Sequence, residues 1–256
     1  MTTIAVADAP LLHALLARAD DALVHAHRLS EWCGHAPMIE EDLALANVAL
    51  DLLGQARALY QHAAAIEGAG RSEDDLAYLR DAPQFRNLLL LEQPNGDFAH
   101  TIARLFLHSA FLLPWWTQAM RSTDATLAAI AAKAEKEVAY HLRHAGEWLI
   151  RLGDGTAESQ ARAAAALDRL WPFTGEIFAI PDAERDLIAQ GILPDPVALR
   201  PAWDATIARV LSEATLDRPR DGWMQQGGRR GVHTEHLGHM LAVMQHLQRA
   251  YPGATW

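Results

Sequence analysis

The chain contains little cysteine and no long apolar run. Its single cysteine, Cys33, excludes a disulfide framework and any zinc or iron–sulfur site built from several cysteines. No apolar stretch approaches the roughly 18 residues that a membrane span requires. Because residues 1–9 include an acid but neither lysine nor arginine, no signal peptide is predicted. We therefore expect a cytoplasmic protein that has no contact with a membrane.

The charge balance is acidic. The 256 residues include 22 lysines and arginines against 32 aspartates and glutamates, which gives a formal net charge of −10. A chain of this kind offers no uniformly basic surface, so nucleic acid is not an expected partner. Half of the residues are hydrophobic, which is enough for a large buried core, and one domain is predicted over residues 1–256.

Apolar residues recur at helical spacing along most of the chain, and no segment alternates as a strand would. The pattern predicts four long helices and several short ones, with Pro114 expected to kink the third long helix. Glycine and proline mark most of the boundaries. The predicted long helices cover residues 10–33, 39–67, 97–120 and 124–152, and the shorter ones 72–80, 159–178, 182–190, 200–216 and 232–249.

The connections between the long helices indicate a topology. Short turns at residues 34–37 and 122–124 make two helical hairpins, and a long connection over residues 67–95 joins them. Two hairpins joined by one long crossover are typical of the ferritin-like fold. We therefore predict an all-α, ferritin-like four-helix bundle core with additional C-terminal helices.

Bundles of this type often hold two irons, through Glu-x-x-His pairs whose members lie on one helix face. Among the 13 histidines, only His100 follows a carboxylate, Asp97, by three positions, and this pair lies in the first turn of a helix. In the middle of the second helix Asp51 is followed by Gly54, and in the fourth helix Val138 precedes His141. The sequence therefore predicts no metal site and no cofactor in this chain.

The polar residues left in the bundle need partners, because unpaired buried charges are costly. Folding each hairpin about its turn predicts that Asp20 or Asp21 faces Asp51, and that His108 lies near His141. The same folding brings Glu137 close to these two histidines. We expect Asp51, Glu137 and His141 to pair with arginine or lysine.

Two histidine-containing segments are candidate sites. His233, His236 and His239 follow one another at intervals of three and could share a metal ion. The favoured alternative is that Thr234 and Glu235 cap a helix while one or two of the imidazoles bind carbonyl groups. Cys33 and His35 are too close in sequence to form a nucleophile–base pair, so no catalytic residue is predicted.

The loop at residues 226–231 (QGGRRG) is rich in glycine and basic residues, and it precedes a predicted helix. Free backbone N–H groups, the helix dipole and the guanidinium groups of Arg229 and Arg230 are suited to bind an anion. The expected anion is a coenzyme A phosphate or an acidic patch of a partner, and a solvated loop is the alternative. The spacing excludes a nucleotide P-loop.

Six segments are long and specific enough to identify a family: 28–37 (RLSEWCGHAP), 42–47 (DLALAN), 51–57 (DLLGQAR), 87–96 (NLLLLEQPNG), 139–143 (AYHLR) and 233–238 (HTEHLG). They resemble the C-type subunits of bacterial phenylacetyl-CoA epoxidases, and the resemblance runs from about residue 15 to the C-terminus. It implies a ferritin-like subunit without di-iron ligands, paired with a catalytic A-type subunit that holds the di-iron centre. It further implies phenylacetyl-CoA as the substrate of the complex, a reductase, and other subunits including a small bridging one.

The favoured interpretation is thus a non-catalytic scaffold subunit of such an epoxidase, which stabilises its catalytic partner. Eight tryptophans are consistent with this interpretation, because tryptophan is enriched at interfaces. One alternative is an independent di-iron oxygenase or ferroxidase. A further alternative is a stand-alone module that binds coenzyme A.

Overall fold

The computed structural model describes residues 3–254, and over this range the regular structure consists of helices without any strand. Short 3-10 turns link some of the α-helices. The α-helices are α1 (Pro10–Ser30), α2 (Ile39–Glu67), α3 (Glu73–Tyr78), α4 (Leu89–Glu92), α5 (Phe98–Ala119), α6 (Ala125–Gly153), α7 (Ala157–Leu170), α8 (Arg185–Ala189), α9 (Arg200–Glu213), α10 (Glu235–Met244) and α11 (His246–Ala250).

Four long helices form the bundle. Helix α1 packs along α2, α5 packs along α6, and α2 contacts α6 across the bundle. The connection between the two hairpins carries the short helices α3 and α4. Helices α7 and α9 pack on the hairpin of α5 and α6. The prediction of an all-α, ferritin-like bundle with additional C-terminal helices is confirmed.

Local sequence signals set the boundaries of several helices. Pro10 stands at the first position of α1, where its missing N–H costs no hydrogen bond. Helix α2 ends at Gly68, which adopts the left-handed conformation with φ of 65°. Ser72 and Asp75 form the expected capping box of α3. Asp97 and Asp124 cap α5 and α6 by accepting backbone N–H bonds.

Two of the predicted C-terminal helices are wrong in their extent. The predicted helix at residues 159–178 ends at Leu170 and continues as 3-10 turns, because Pro172 lacks the N–H that an α-helix requires. The predicted helix at residues 232–249 starts at Glu235 and is interrupted at Gln245. The side-chain amide of Gln245 donates to the carbonyl oxygens of Ala77 and Arg80 at 3.1 and 3.0 Å.

One contiguous hydrophobic core runs through the bundle and includes residues from Leu12 in α1 to Leu241 in α10. The C-terminal helices therefore share the core of the bundle. None of the helices within residues 3–254 combines the length and the hydropathy that crossing a bilayer would require.

Candidate functional site

Polar pairs join α2 to α6, at the place where a ferritin-like bundle would hold metal. They follow each other in antiparallel order along the two helices. We call this row the α2–α6 seam. Its contacts are Glu41 Oε2 to His144 Nε2 at 3.1 Å, Asp51 Oδ2 to His141 Nε2 at 3.0 Å, Gln55 Nε2 to Glu137 Oε2 at 3.0 Å and His62 Nε2 to Asp124 Oδ2 at 2.8 Å.

The residues of the seam do not fit a di-iron centre. Gly54 stands where an imidazole would be needed, and buried, apolar Val138 stands where a carboxylate would be needed. The remaining donors, Asp51 and His141, are bonded to each other. Within residues 3–254 no group of three or more histidine, cysteine, aspartate or glutamate side chains could hold a metal ion.

The expected lysine or arginine partners in the bundle are found for only one of the three residues. Glu137 lies 3.4 Å from Lys133 in addition to its bond with Gln55. Asp51 and His141 pair with each other, so that part of the prediction is wrong. An imidazole suffices there because the Asp51 side chain is partly open to solvent, which reduces the cost of its charge.

His108 lies next to a second histidine, His25, which was not predicted as a site residue. Its Nδ1 lies 3.1 Å from Nδ1 of His25 on α1, and both imidazoles are fully buried. The Nε2 atoms of both rings are buried without a hydrogen-bond partner. Burial lowers the pKa of His108 to about 4 and that of His25 well below its usual value, so both rings are held neutral. As predicted, His108 lies close enough to His141 for the two rings to interact electrostatically, and Glu137 interacts with His141 in the same way.

Asp20 lies in a buried ion-pair cluster instead of facing Asp51. Its carboxylate accepts both terminal N–H groups of Arg80, the hydroxyl of Tyr60 at 2.6 Å and the backbone N–H of Arg86 at 2.8 Å. Asp20 and Arg80 are fully buried. Burial, together with the Asp20 charge, raises the pKa of Tyr60 well above its usual value. The cation of Arg80 neutralises the buried Asp20 carboxylate. Asp51, the predicted neighbour, is itself a carboxylate and could not do so.

The guanidinium group of Arg229 is buried and binds Asp21. Its two terminal nitrogens donate to the Asp21 carboxylate at 3.0 and 2.6 Å, and one of them also donates to the carbonyl oxygens of Ala17 and Arg86. Burial alone would lower the pKa of Arg229, but the Asp21 carboxylate raises it above its usual value. The anion at Arg229 is therefore a side chain of the same chain, which corrects the expectation of an external one. An outside anion would have to break this buried bidentate pair.

The glycine-rich loop also binds an internal carboxylate. The backbone N–H groups of Gly227 and Arg229 donate to Glu176 Oε1 at 2.8 and 3.4 Å, while Leu89 N–H donates to Glu176 Oε2 at 2.9 Å. A Cβ at Gly228 would collide with the carbonyl oxygen of Asn87, so only glycine allows this close approach. The loop is thus an anion cradle, as its composition indicates, and it is filled by Glu176.

Arg230 is the exposed member of the arginine pair. It follows Arg229 in a single 3-10 turn that ends at left-handed Gly231, with φ of 76°. Its predicted contact with a coenzyme A phosphate or with a partner stays a prediction.

The three C-terminal histidines do not form one cluster. His233 bridges Glu92 Oε2 and the carbonyl oxygen of Phe85, at 2.8 and 3.0 Å. Burial alone would lower the pKa of His233, but the Glu92 carboxylate raises it above its usual value. Thr234 lies at the N-cap of α10, and its hydroxyl donates to Glu92 Oε1 at 2.7 Å. His239 is exposed.

Two buried carboxylates organise the crossover, Glu92 and Glu176, and neither was predicted as a site residue. Glu92 follows an apolar run of four leucines, and a charge at the end of such a run indicates burial with a partner. Glu176 carries no comparable signal. It lies in a segment for which the periodicity predicts a helix, and its partners are more than 50 residues away in either direction.

Comparison with known proteins finds one matching family and a similar subunit of an enzyme. The family described as phenylacetic acid catabolic protein matches residues 1–256. The chain is also 52% identical, over 237 residues, to the C-type subunit of the 1,2-phenylacetyl-CoA epoxidase of Escherichia coli (strain K12). The match covers 93% of this chain and 95% of that protein.

A family match over the whole length and an identity of 52% to a C-type subunit lead to one conclusion. This chain belongs to the phenylacetic acid catabolic protein family.

Proposed function

We propose that this chain is a non-catalytic scaffold subunit of a phenylacetyl-CoA epoxidase, and that it stabilises a di-iron catalytic A-type subunit. The similarity to the C-type subunit of such an epoxidase, over nearly the full length, supports membership of the complex. The relative is named as one subunit of an enzyme, which supports a role inside an assembly. The further components of this proposal are a reductase and a small bridging subunit.

The observation that carries the non-catalytic role is the Asp51–His141 bond. A bundle helix that holds iron presents a carboxylate and an imidazole three residues apart, both free to reach the metal. Here each helix lacks one member of its pair, at Gly54 and Val138, and the remaining carboxylate and imidazole, Asp51 and His141, are bonded to each other. The pair joins α2 to α6, so its contribution is to hold the bundle together.

Iron analysis of the purified chain tests this role. We expect well below one iron per chain and no oxidation of phenylacetyl-CoA by the chain alone, because the seam offers too few free donors. The Asp51→Asn variant keeps a hydrogen-bonding group opposite His141 but removes the carboxylate. It is expected to leave turnover by the reconstituted complex within about twofold of the wild type.

Two irons per chain, or turnover by this chain without a partner, would show an independent di-iron enzyme. Loss of bound iron in Asp51→Asn would contradict the proposal in the same way. Co-purification with the A-type subunit from cells that express both is the matching positive result. An A-type subunit that stays active and monodisperse without this chain would remove the need for a scaffold.

Arg230 is included in the proposal as a contact for coenzyme A or for another protein of the complex. We expect Arg230→Ala to raise the KM for phenylacetyl-CoA if the arginine binds a phosphate, with assembly intact. If the arginine binds a partner, the complex dissociates more readily as salt is added. Unchanged kinetics and assembly at low salt would show that Arg230 is solvated.

A further inference from the structure

His233 lies between two hydrogen-bond acceptors. Its Nδ1 is 2.8 Å from Glu92 Oε2, and its Nε2 is 3.0 Å from the carbonyl oxygen of Phe85. A neutral imidazole carries a proton on only one nitrogen, so it would turn a lone pair toward one of these oxygens. Each of the two contacts therefore needs a proton. His233 and Glu92 together hold one proton more than a neutral imidazole and a carboxylate would.

Burial makes the loss of this proton costly. The side chains of His233 and Glu92 are 5% and 0% exposed. Among residues 3–254, the only ion pair of Glu92 is the one with His233. Without the proton, the Glu92 charge would stay buried with no compensating cation, and a nitrogen lone pair would face an oxygen.

The charged groups of the neighbouring elements each have a partner or face the solvent. They are Asp20, which is bound by Arg80; Arg86 and Arg28, which donate to the backbone carbonyl groups of Phe85 and Glu92; and Glu235, which is exposed. Burial opposes protonation of His233, but Glu92 outweighs burial and raises the pKa of the imidazole, with further contributions from the Phe85 carbonyl and Asp20.

The carboxylate of Glu92 holds the two residues that precede α10. Besides His233, it binds Thr234, whose backbone N–H and hydroxyl donate to Glu92 Oε1 at 2.6 and 2.7 Å. Helix α10 has only 10 residues, and a helix this short depends on its tertiary contacts. The start of α10 is thus attached to the crossover through one carboxylate, whose charge is balanced by one imidazole.

The contacts on either side of this segment do not titrate near neutral pH. Before it, Arg229 binds Asp21 through both terminal nitrogens. After it, Gln245 donates to two backbone carbonyl groups of the crossover. None of these groups changes its charge between pH 6.5 and pH 9. An opening that follows the loss of the proton is therefore confined to residues 232–244.

We propose that the His233–Glu92 pair is a pH-dependent switch, which holds the start of α10 on the crossover while the proton is bound and releases residues 232–244 when it is lost. The inference goes beyond the proposed function, because it concerns the chain by itself and needs no partner. In the open segment His233 is an ordinary imidazole, which loses its proton near about pH 6.5. The closed segment keeps the proton to higher pH, so the closed form is most stable below about pH 6.5 and weakens as the pH rises.

A titration of the wild-type chain tests the protonation of His233. With ¹⁵N-labelled histidine, the imidazole nitrogens report directly whether they carry protons, and the His233 signals are assigned by their loss in His233→Gln. We expect His233 to lose its proton with a midpoint above about pH 6.5, the value of an unperturbed imidazole. A midpoint at or below this value would overturn the proposal.

Hydrogen exchange of the α10 amides, corrected for the intrinsic exchange rate, measures the opening. Protection is expected to fall by up to about tenfold per pH unit above pH 6.5, until the closed pair has lost its proton. In His233→Gln, α10 is expected to be less protected than in the wild type, and the ratio of the two protections is expected to shrink as the pH rises. His239→Gln is the matched control, because His239 is an exposed histidine of the same helix.

Two further results would contradict the switch. A ratio of wild-type to His233→Gln protection that is the same at pH 6.5 and at pH 9 would show that the proton does not control α10. Equal protection of α10 and the middle of α5 at pH 9 would show that residues 232–244 open only with the whole fold. If His233→Gln does not fold, the wild-type curve decides, and α10 protection that stays constant from pH 6.5 to pH 9 overturns the proposal.

Discussion

Replacing Arg229 by alanine is expected to lower the free energy of unfolding by about 3–5 kcal/mol. The reason is that the buried negative charge of Asp21 remains. Asp21 is almost completely buried, and Arg229 binds it through both terminal nitrogens. Arg18 also approaches Asp21, but only through one nitrogen at 3.4 Å. Without Arg229 the carboxylate loses its principal partner in a medium where an unpaired charge is costly.

The neighbouring arginine provides the control for this experiment. Arg230 is exposed, and Arg230→Ala is expected to change the free energy of unfolding by no more than about 0.5 kcal/mol. Urea denaturation followed by circular dichroism measures both variants. If Arg229→Ala does not fold, adding Asp21→Asn should restore folding by removing the stranded charge. Equal, small effects of the two alanine variants would show that Arg229 contributes no more than a surface arginine.

Lowering the pH from 6.5 to 4 is expected to destabilise the protein by about 3 kcal/mol for each histidine whose pKa falls to about 4 in the folded state. Burial causes this shift for His108 and for His100. The unfolded chain takes up protons near pH 6.5, while the folded chain keeps these rings neutral. Their contribution to stability is therefore complete above about pH 6.5 and is lost as the pH falls toward 4.

Replacing one of these histidines should make the free energy of unfolding depend less steeply on pH. Denaturation midpoints of His108→Gln, measured between pH 7.5 and pH 4.5, are expected to depend on pH with about one proton less than the wild type. His35→Gln changes an exposed histidine and serves as the control. His233 has the opposite sign, since its raised pKa stabilises the fold at low pH and loses that effect as the pH rises. If His108→Gln and the wild type show the same dependence on pH, His108 takes up its proton in the folded state as readily as in the unfolded state, and the prediction is wrong.

The sequence alone determined the bundle and the loss of the metal-binding pattern. Helical spacing of apolar residues is a local property, so α2, α5 and α6 could be placed to within two residues of their observed ends. Two short turns and one long crossover then left the ferritin-like topology as the natural arrangement. Gly54 and Val138, each three positions from the residue that should complete a pair, are also visible without any coordinates.

The tertiary structure decided which charges meet. The loop at residues 226–231 has the composition of an anion site, but only the fold places Asp21, 208 positions earlier in the chain, beside Arg229. It likewise fills the loop with Glu176 and brings His25 to His108. Local patterns show which residues are suited to bind an anion or a metal. The identity of the partner depends on how distant helices pack, because buried charges pair with whichever opposite charge the packing brings within reach.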